Sequence, residues 1–456
     1  MTSEDLFSPK DSALRKAACL ALSLLEDGGF EAYFVGGFVR DTLLNRPIND
    51  ADLTTNAPYE SMVRLFENAG YTVHRTGEKH GTVTVVVEGF PLEITRYRTD
   101  GAYEDHRHPA QVTFVSTLEE DLARRDFTIN AMAYNPRIGA LVDYHNGAND
   151  LRRGIIRCVG DPRQRFQEDA LRILRALRFA SQLNFTLEPK TGLAIHENAE
   201  LLGSVSAERL YSEFTKLLCG QNPFPILMEY SDVVFQLIPE LKESWKFDQM
   251  TPYHKYDVYE HIAHTVENIP ATPLCRWIAL MHDAGKPAHF TRDEKGVGHF
   301  KRHAITSELL ARQVAERFKM PRDFTEDLLL IVRRHDDVVE ETPRAVKRML
   351  FKLGGRPDLF EVLCDMKRAD TLSQADRCLP RLEMVEHLRA IAADVLKEDE
   401  AFSLKQLDLS GKDLIALGLK PGPQFSQLLN AALEAVIDEA CPNEKEALIS
   451  YLGLKQ

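Results

Sequence analysis

The chain has 456 residues, 44% of them hydrophobic and 27% charged, and carries a formal net charge of −13. This length favours several domains over one and leaves ample apolar material for their cores. No apolar run approaches the length of a spanning helix, which argues against a membrane protein, and the acidic balance argues against coating nucleic acid through bulk attraction.

The chain opens with Thr2, Ser3, Glu4 and Asp5, and its first apolar stretch is broken by Lys16 and Glu26. That is not a secretory pattern, so a cytoplasmic location is expected. The seven cysteines (19, 158, 219, 275, 364, 378 and 441) are odd in number, and none pairs at metal-ligand spacing. They read as reduced, structural thiols.

In chain order, residues 13–29 have the spacing of an amphipathic helix, with Leu14, Ala18, Ala21 and Leu25 on one face and Gly28-Gly29 at the end. Ala32–Val35 is a short strand running into Gly36-Gly37. Residues 82–87 and 91–96 are β-branched strands joined at Gly89, which predicts a hairpin. A polar loop covers 97–111. A helix from about Leu118 and a strand near 141–144 complete a mixed unit ending near 150. After Gly160 the period changes to about 3.6 and stays there. Helices are expected at 167–183, 190–200, 206–219, 223–231, 254–268, 273–285, 302–318, 321–335, 343–353, 356–373 and 379–397. The remainder to 456 is expected to be helical apart from a Gly/Pro-rich turn at 418–423. The fold class is therefore α+β: an N-terminal head (1–150) with a small mixed sheet, a helical neck (151–225), a helical body (226–375) and a helical tail (376–456).

One stretch is dense in chemistry. Gly36-Gly37-Phe38-Val39-Arg40-Asp41 is followed, after eight intervening residues, by Asp50-Ala51-Asp52. Two glycines after a strand let the backbone approach a triphosphate closely and free N–H groups for phosphate oxygens. Carboxylates at i and i+2 on a strand point to one face and suit octahedral Mg²⁺. Metal ions held there could activate an attacking hydroxyl and stabilise a leaving pyrophosphate. An isolated D-x-D is more often a solvated turn; its spacing from the glycines favours function. Local charge agrees. Leu151–Leu187 holds eight arginines against Asp161, Glu168 and Asp169, a basic island where a polyanion would sit.

This stretch resembles the signature of the class II tRNA nucleotidyltransferases (CCA-adding enzymes) and bacterial poly(A) polymerases of the polymerase β superfamily. Four further segments match in the family's order. Arg124-Arg125-Asp126-Phe127-Thr128-Ile129-Asn130-Ala131 looks like its ribose and triphosphate motif. Asp143, Gly147, Asp150 and Leu151 resemble the hinge between head and neck. Glu168-Asp169-Ala170-Leu171-Arg172-Ile173-Leu174-Arg175 matches E-D-x-x-R-x-x-R. Ser206–Glu213 looks like the helix that buttresses it. The resemblance covers about the first half of the chain. It implies template-independent addition of CCA to the tRNA 3′ end from CTP and ATP, with Mg²⁺ on Asp50 and Asp52. Gly36, Gly37, Arg40 and Asp41 would position the triphosphate. Arg125, Asp126 and Asn130 would hold ribose and phosphates, and Arg175 and Arg178 would line the nucleotide site.

The E-D-x-x-R motif also has a reading of its own. Asp169 and Arg172 are three apart, hence neighbours on one helical face. An ionised aspartate only accepts hydrogen bonds and an arginine only donates them. Together they match the amine and unprotonated ring nitrogen that cytosine and adenine both present, and that uracil and guanine do not. A surface salt bridge is the plain alternative. The 97–111 loop resembles the loop that CCA-adding enzymes need to change from C to A addition; it could also be an ordinary lid.

A second constellation comprises His261, His282-Asp283-Ala284-Gly285-Lys286-Pro287, His303, His335 and Asp370. Its H…HD…D order resembles the HD phosphohydrolase superfamily. The resemblance implies His261, His282, Asp283 and Asp370 as ligands, with His303 and His335 as added ligands or phosphate contacts. Imidazole with carboxylate suits a divalent transition metal, whose bound water could attack a phosphoester. His254, His264, His289 and His299 read as structural.

Three rivals remain open: an A-adding enzyme or poly(A) polymerase, an HD phosphohydrolase whose head only binds nucleotide, and a non-catalytic RNA-binding protein. Poly(A) polymerases of this family tend to end in a strongly basic extension, whereas 430–456 has Lys445 and Lys455 against Glu434, Asp438, Glu439, Glu444 and Glu446. The expected partners are the tRNA 3′ end, CTP and ATP, with no membrane; the sequence sets no oligomeric state.

Overall fold

The computed structural model describes residues 12–101, 112–397 and 401–454, so most of the loop expected at 97–111 lies outside the described residues. The chain divides into two compact units between Leu237 and Ile238.

In the first unit, helix α1 (Ser12–Asp27) buries Ala18, Ala21, Leu22 and Leu25. Strand β1 (Ala32–Val35) leads through Gly36 into α2 (Gly37–Leu43), and β2 (Asp52–Thr55), α3 (Tyr59–Asn68) and β3 (Thr72–Gly77) follow. Helices α2 and α3 and strand β3 are not among the expected elements. With seven residues, α2 is too short for its periodicity to register. β3 reads Thr-Val-His-Arg-Thr-Gly and stands at the sheet edge, where polar residues are tolerated.

Strands β4 (Thr82–Val87) and β5 (Phe90–Arg96) form the expected hairpin. Its two turn residues, Glu88 and Gly89, have φ of +50° and +83°, the pair of positive values a tight two-residue turn requires. β4 alternates half-buried and buried residues, with Val83, Val85 and Val87 inward. Strands β6 (Arg98–Asp100) and β7 (Val112–Phe114) pair separately. Then come α4 (Leu118–Ala123), β8 (Ala133–Asn135), β9 (Ala140–Val142) and α5 (Gly147–Arg153).

The main sheet has the order β3-β4-β5-β2-β1-β8-β9. β2 and β5 run parallel, and the other neighbours are antiparallel. β2 thus lies inside the sheet, with Leu53, Thr54 and Thr55 buried and Asp52 at its entrance. Val35, Tyr97, Leu118, Leu122 and Ala133 pack as a buried cluster that ties β1, β8 and α4 together.

Helices α6 (Pro162–Glu168), α7 (Leu171–Leu183), α8 (Pro189–Asn198), α9 (Ala207–Leu218), α10 (Pro223–Glu229) and α11 (Ser231–Leu237) finish this unit. Asp161 caps α6 by accepting from the Arg163 N–H, with Pro162 behind it. The single helix expected at 167–183 is broken. Asp169 is extended (φ −137°, ψ 104°), and its carboxylate accepts from the Leu171 N–H at the start of α7. Aspartate offers the backbone this local alternative to helix, which a periodicity count does not register.

The second unit is helical apart from a two-stranded pair at 291–292 and 298–299. Helices α12 (Val258–Asn268), α13 (Pro273–Met281), α14 (His303–Arg317), α15 (Arg322–Arg334), α16 (Pro343–Lys352), α17 (Pro357–Leu372) and α18 (Arg381–Lys397) fall where expected. The tail is less continuous than expected. Its helices α19 (Gly411–Ala416), α20 (Pro423–Ile437) and α21 (Lys445–Tyr451) close on Leu409, Leu414, Leu433 and Leu448. No helix among the described residues is long and apolar enough to cross a membrane.

Candidate active site and metal-ligand cluster

A cavity of about 670 Å³ opens beside the β1–α2 turn and gathers most of the residues expected at the nucleotide site: Gly36, Gly37, Arg40, Asp41, Asp50, Asp52, Arg125, Asp126, Asn130, Arg175 and Arg178. Gly36 has a φ of +67°, which L side chains rarely adopt. A Cβ there would also come within 3.4 Å of Arg125 Nη1 and 3.8 Å of Asp52 Oδ2, so a side chain would intrude between arginine and carboxylate.

Asp50 precedes β2 and is exposed; Asp52 opens the strand and is half-buried, with buried Ala51 between them. Burial, then the neighbouring Asp50, pushes the Asp52 carboxyl up to about 6. Two neighbouring carboxylates disfavour the doubly charged state, and a dication reverses that penalty. A dication held there would have to displace the proton of Asp52, so its apparent affinity is expected to fall about tenfold per pH unit below 6 and to level off above it. Metal titrations at pH 5, 6 and 7.5 check this; a pH-independent affinity would contradict it.

The basic groups are held by buried acids. Asp126 Oδ2 accepts from Arg175 Nε (2.8 Å) and Nη2 (2.5 Å), while Oδ1 accepts from the Phe127 N–H (2.8 Å) and Asn130 Nδ2 (3.1 Å). Burial alone would raise the Asp126 carboxyl, but Arg175, Asn130 and Arg172 together outweigh it and hold the group well below the usual carboxylate range. Arg40 grips Asp41 at 3.0 and 2.7 Å and donates to Asn130 Oδ1 at 2.8 Å. Arg178 faces Glu213 at 3.2 Å. Three guanidinium groups surround one ring: Arg178, Arg40 and Arg175 lie 4.3, 4.9 and 5.5 Å from the Phe179 centroid.

Asp169 and Arg172 do not line this cavity. Asp169 stands outside α7 and Arg172 in its first turn, with the Arg172 N–H donating to the Asp169 carbonyl at 2.9 Å. Asp169 pairs with Arg209 Nη2 at 3.2 Å, and Arg172 pairs with Glu168 at 2.7 Å and donates to the Arg124 carbonyl at 3.2 Å.

Two residues of this region are absent from the expected site. Fully buried Asp121 accepts from Arg124 at 2.9–3.0 Å and from Arg125 at 3.4 Å. Its i,i+3 and i,i+4 spacing to that arginine pair is the signal that would have found it. Glu93 is the register partner of Asp52 in the parallel β2–β5 pair, hence on the same sheet face. Nothing in the linear sequence announces a parallel pairing.

The helical unit brings the second constellation together. One ligand atom each from His261, His282, Asp283 and Asp370 lie within 4.8 Å of one another, and so do those of Asp283, His303 and His335. They arrive from α12, the end of α13, the start of α14, the end of α15 and late α17. Gly285 permits the approach: a Cβ there would meet the His303 carbonyl at 2.5 Å and the Ser307 N at 2.6 Å. Burial opposes the charged form of His261, but hydrogen bonds with Asp283 and Asp370 outweigh it and raise the ring to about 9. Burial would raise Asp283 too, yet the imidazoles and Lys286 hold it well below its ordinary value.

A cavity of about 310 Å³ opens onto Asp283, Lys286, Lys301, His303, His335, Asp370 and Arg381. Of the histidines read as structural, His254 and His299 also line it. Burial, then Lys286, keeps His254 neutral. His264 stacks on Tyr256 with centroids 4.2 Å apart, and His289 bonds Thr306 at 2.7 Å.

A mixed sheet that carries a carboxylate pair beside a glycine turn, over a cavity walled by arginines, is built to bind and transfer a phosphorylated nucleotide: the head is that of a nucleotidyltransferase. Family models agree. The poly A polymerase head domain matches residues 32–157, the RNA and SrmB-binding region of polymerase A matches 184–244, and tRNA nucleotidyltransferase domain 2 matches 311–452. The CCA-adding enzyme of Lactobacillus helveticus is 35% identical over 432 residues, 94% of this chain and 95% of that one. The corresponding protein of Ligilactobacillus salivarius reaches 49% over 217 residues, 48% of this chain and 52% of its own. Among solved structures, the Bacillus stearothermophilus CCA-adding enzyme in complex with CTP superposes with a TM-score of 0.70 at 30% identity, covering 98% of both chains. The Thermotoga maritima CCA-adding enzyme complexed with tRNA shares the fold, with a TM-score of 0.59 at 21% identity over 99% of this chain and 98% of that one. The chain belongs to the CCA-adding enzyme family. His261, His282, Asp283 and His303 fall between the second and third matched segments, and His335 and Asp370 fall within the third.

Proposed function

We propose that this chain adds C, C and A in turn to the 3′ end of tRNA in the cytoplasm, from CTP and ATP and without a nucleic-acid template. The observation that carries this reading is the convergence of Asp50, Asp52, the Gly36-Gly37 turn and five arginines on one cavity. The paired carboxylates, one of them pushed up to about 6, fit Mg²⁺. When bound, Mg²⁺ ions would supply charge neutralisation and a more acidic 3′-hydroxyl.

The protein's own groups do the rest. Gly36 and Gly37 leave room for the triphosphate. Arg40, positioned by Asp41, faces it together with Arg175 and Arg178. Arg125, Asp126 and Asn130 hold ribose and phosphates. Asp169 and Arg172 read the base by exchanging Arg209 and Glu168 for its pairing edge, which offers an amine and a ring nitrogen in both cytosine and adenine. The tRNA is recognised by shape and backbone, through the arginine-rich neck and the 376–456 tail.

The test offers two transcripts, one ending before CCA and one ending in CC, with labelled CTP or ATP. C on the first and a single A on the second are the expected products. A on the second without any C on the first would identify an A-adding enzyme, and A added repeatedly to either would identify a poly(A) polymerase.

A second activity is favoured by the helical cluster. His261, His282, Asp283 and Asp370 fit a divalent transition metal: they mix imidazole with carboxylate and bring one ligand atom each within 4.8 Å of one another. Such a centre would act as a phosphohydrolase of the HD type, on a phosphoester drawn in by Lys286, Lys301 and Arg381. The intact Asp50/Asp52 pair argues against a chain whose only chemistry is this one.

A further inference from the structure

Behind the arginines of the nucleotide cavity stands a carboxylate that does not line it. Asp121, in α4, is fully buried. Its Oδ1 accepts from Arg124 Nε and Nη2 at 3.0 and 2.9 Å and from the Arg98 N–H at 3.4 Å. Its Oδ2 accepts from the Thr54 hydroxyl at 3.1 Å and from Arg125 Nη2 at 3.4 Å. Thr54 is two residues beyond Asp52 on β2, hence on the same face of that strand. Asp121 is therefore tied to the strand that presents Asp52, and Arg125 runs from Asp121 back toward that carboxylate. The place a Cβ on Gly36 would take is 3.4 Å from Arg125 Nη1 and 3.8 Å from Asp52 Oδ2.

The two oxygens are used unequally. Arg124 holds Oδ1 with two short bonds, whereas Arg125 makes one longer contact with Oδ2. One negative charge thus faces two positive ones, and the surplus falls on Arg125, which lines the cavity. Among the described residues, Asp121 is the one carboxylate within ion-pair distance of Arg125. Such a contact aims a guanidinium and leaves its charge available. An arginine without an anchor must be ordered when the ligand arrives, at a cost in side-chain entropy that weakens binding. It could also turn onto Asp52, which has to face the reacting phosphate.

We propose that Asp121 is a positioning residue for nucleotidyl transfer: it acts through Arg125, holding that guanidinium over Gly36 before the nucleotide binds. The inference rests on the reading of Arg125 as a phosphate contact and extends it to the residue that aims it. The triphosphate is common to CTP and ATP, so the effect is the same for both.

The test compares Asp121→Asn, Arg125→Ala and the double variant, all in the full-length chain, in steady-state addition of C and of A to transcripts. Arg125→Ala is expected to raise the nucleotide KM roughly 30-fold and Asp121→Asn roughly tenfold, the scale of a hydrogen bond to a charged group. The double variant should be no worse than Arg125→Ala alone, because the two residues act in series. If Asp121 only supported the fold, its loss would lower the active fraction, and hence kcat, at an unchanged KM. That result, or effects that multiply in the double variant, overturns the proposal. A parent-like KM in Arg125→Ala overturns the phosphate reading itself, and the proposal with it. Nitrogen-15 spectra of the arginine side chains in the nucleotide-free parent protein give an answer that needs no Asp121 variant. The Arg125 signals, assigned by their loss in Arg125→Lys, should show two resolved Nη resonances, the mark of a guanidinium held from rotating; one averaged resonance overturns the proposal.

Discussion

Asp52→Ala is expected to abolish incorporation of both CTP and ATP, a loss of roughly 10⁴-fold or more in single-turnover rate, the scale seen when one member of a catalytic unit is removed. The loss is the same for both nucleotides, because Asp52 acts where the phosphate reacts and not where the base is read. It falls on the rate of the chemical step far more than on nucleotide affinity, since the glycine turn and the arginines are untouched. Asp50→Ala is expected to match it, and the double variant to be little worse, because two carboxylates that hold a common charge act as a unit. His282→Ala, in the other unit, leaves incorporation at the parent level. Rapid-quench assays with a tRNA transcript ending in CC measure all four proteins. Asp52→Ala keeping about a tenth of the parent rate would end the assignment of the catalytic carboxylates.

Asp126→Ala is expected to give the largest loss of stability in the N-terminal unit, about 3–5 kcal/mol. The substitution strands the Arg175 guanidinium and removes the acceptor of both Asn130 and the Phe127 N–H. That corresponds to a fall of roughly 10 °C in the midpoint of this unit. Asp126→Asn, which keeps an acceptor but no charge, should lie between. The pH dependence follows from the depressed carboxyl. Its folded value lies below the unfolded one, so the contribution is fully present above about pH 4 and is lost only as pH falls further, through the folded value. Calorimetry from pH 3 to 8 should therefore show the gap between parent and Asp126→Ala constant above pH 5 and narrowing in acid. A gap that widens in acid would contradict this sign.

How legible each part was depended on whether its signal is local. The β4–β5 hairpin was readable because alternation and a positive-φ turn are written in adjacent residues. The helices of the second unit were readable because long amphipathic segments repeat their signal over several turns. The break at Asp169 was not, since one side chain bonding its own backbone overrides a run of good helix formers. Asp169 is left outside α7, paired with Arg209, while Arg172 inside it pairs with Glu168. Asp121 stood at a readable helical spacing from its arginines, yet its importance comes from complete burial, which no local pattern records.

The amino-acid sequence by itself determined the chemical inventory: two acids after a double glycine, an island of arginines, and a set of histidines and aspartates spread from 261 to 370. Those identities depend on residue type and short spacing, which the linear chain carries in full. Only the tertiary structure decided which of them meet. A parallel β2–β5 pairing set Glu93 beside Asp52, burial pushed one carboxyl of the site up and ion pairing held another down, and five helical segments converged to bring four imidazoles and Asp370 around Asp283. Proximity between residues tens of positions apart, and the loss of water that makes their charges matter, are properties of the packed molecule and not of the chain.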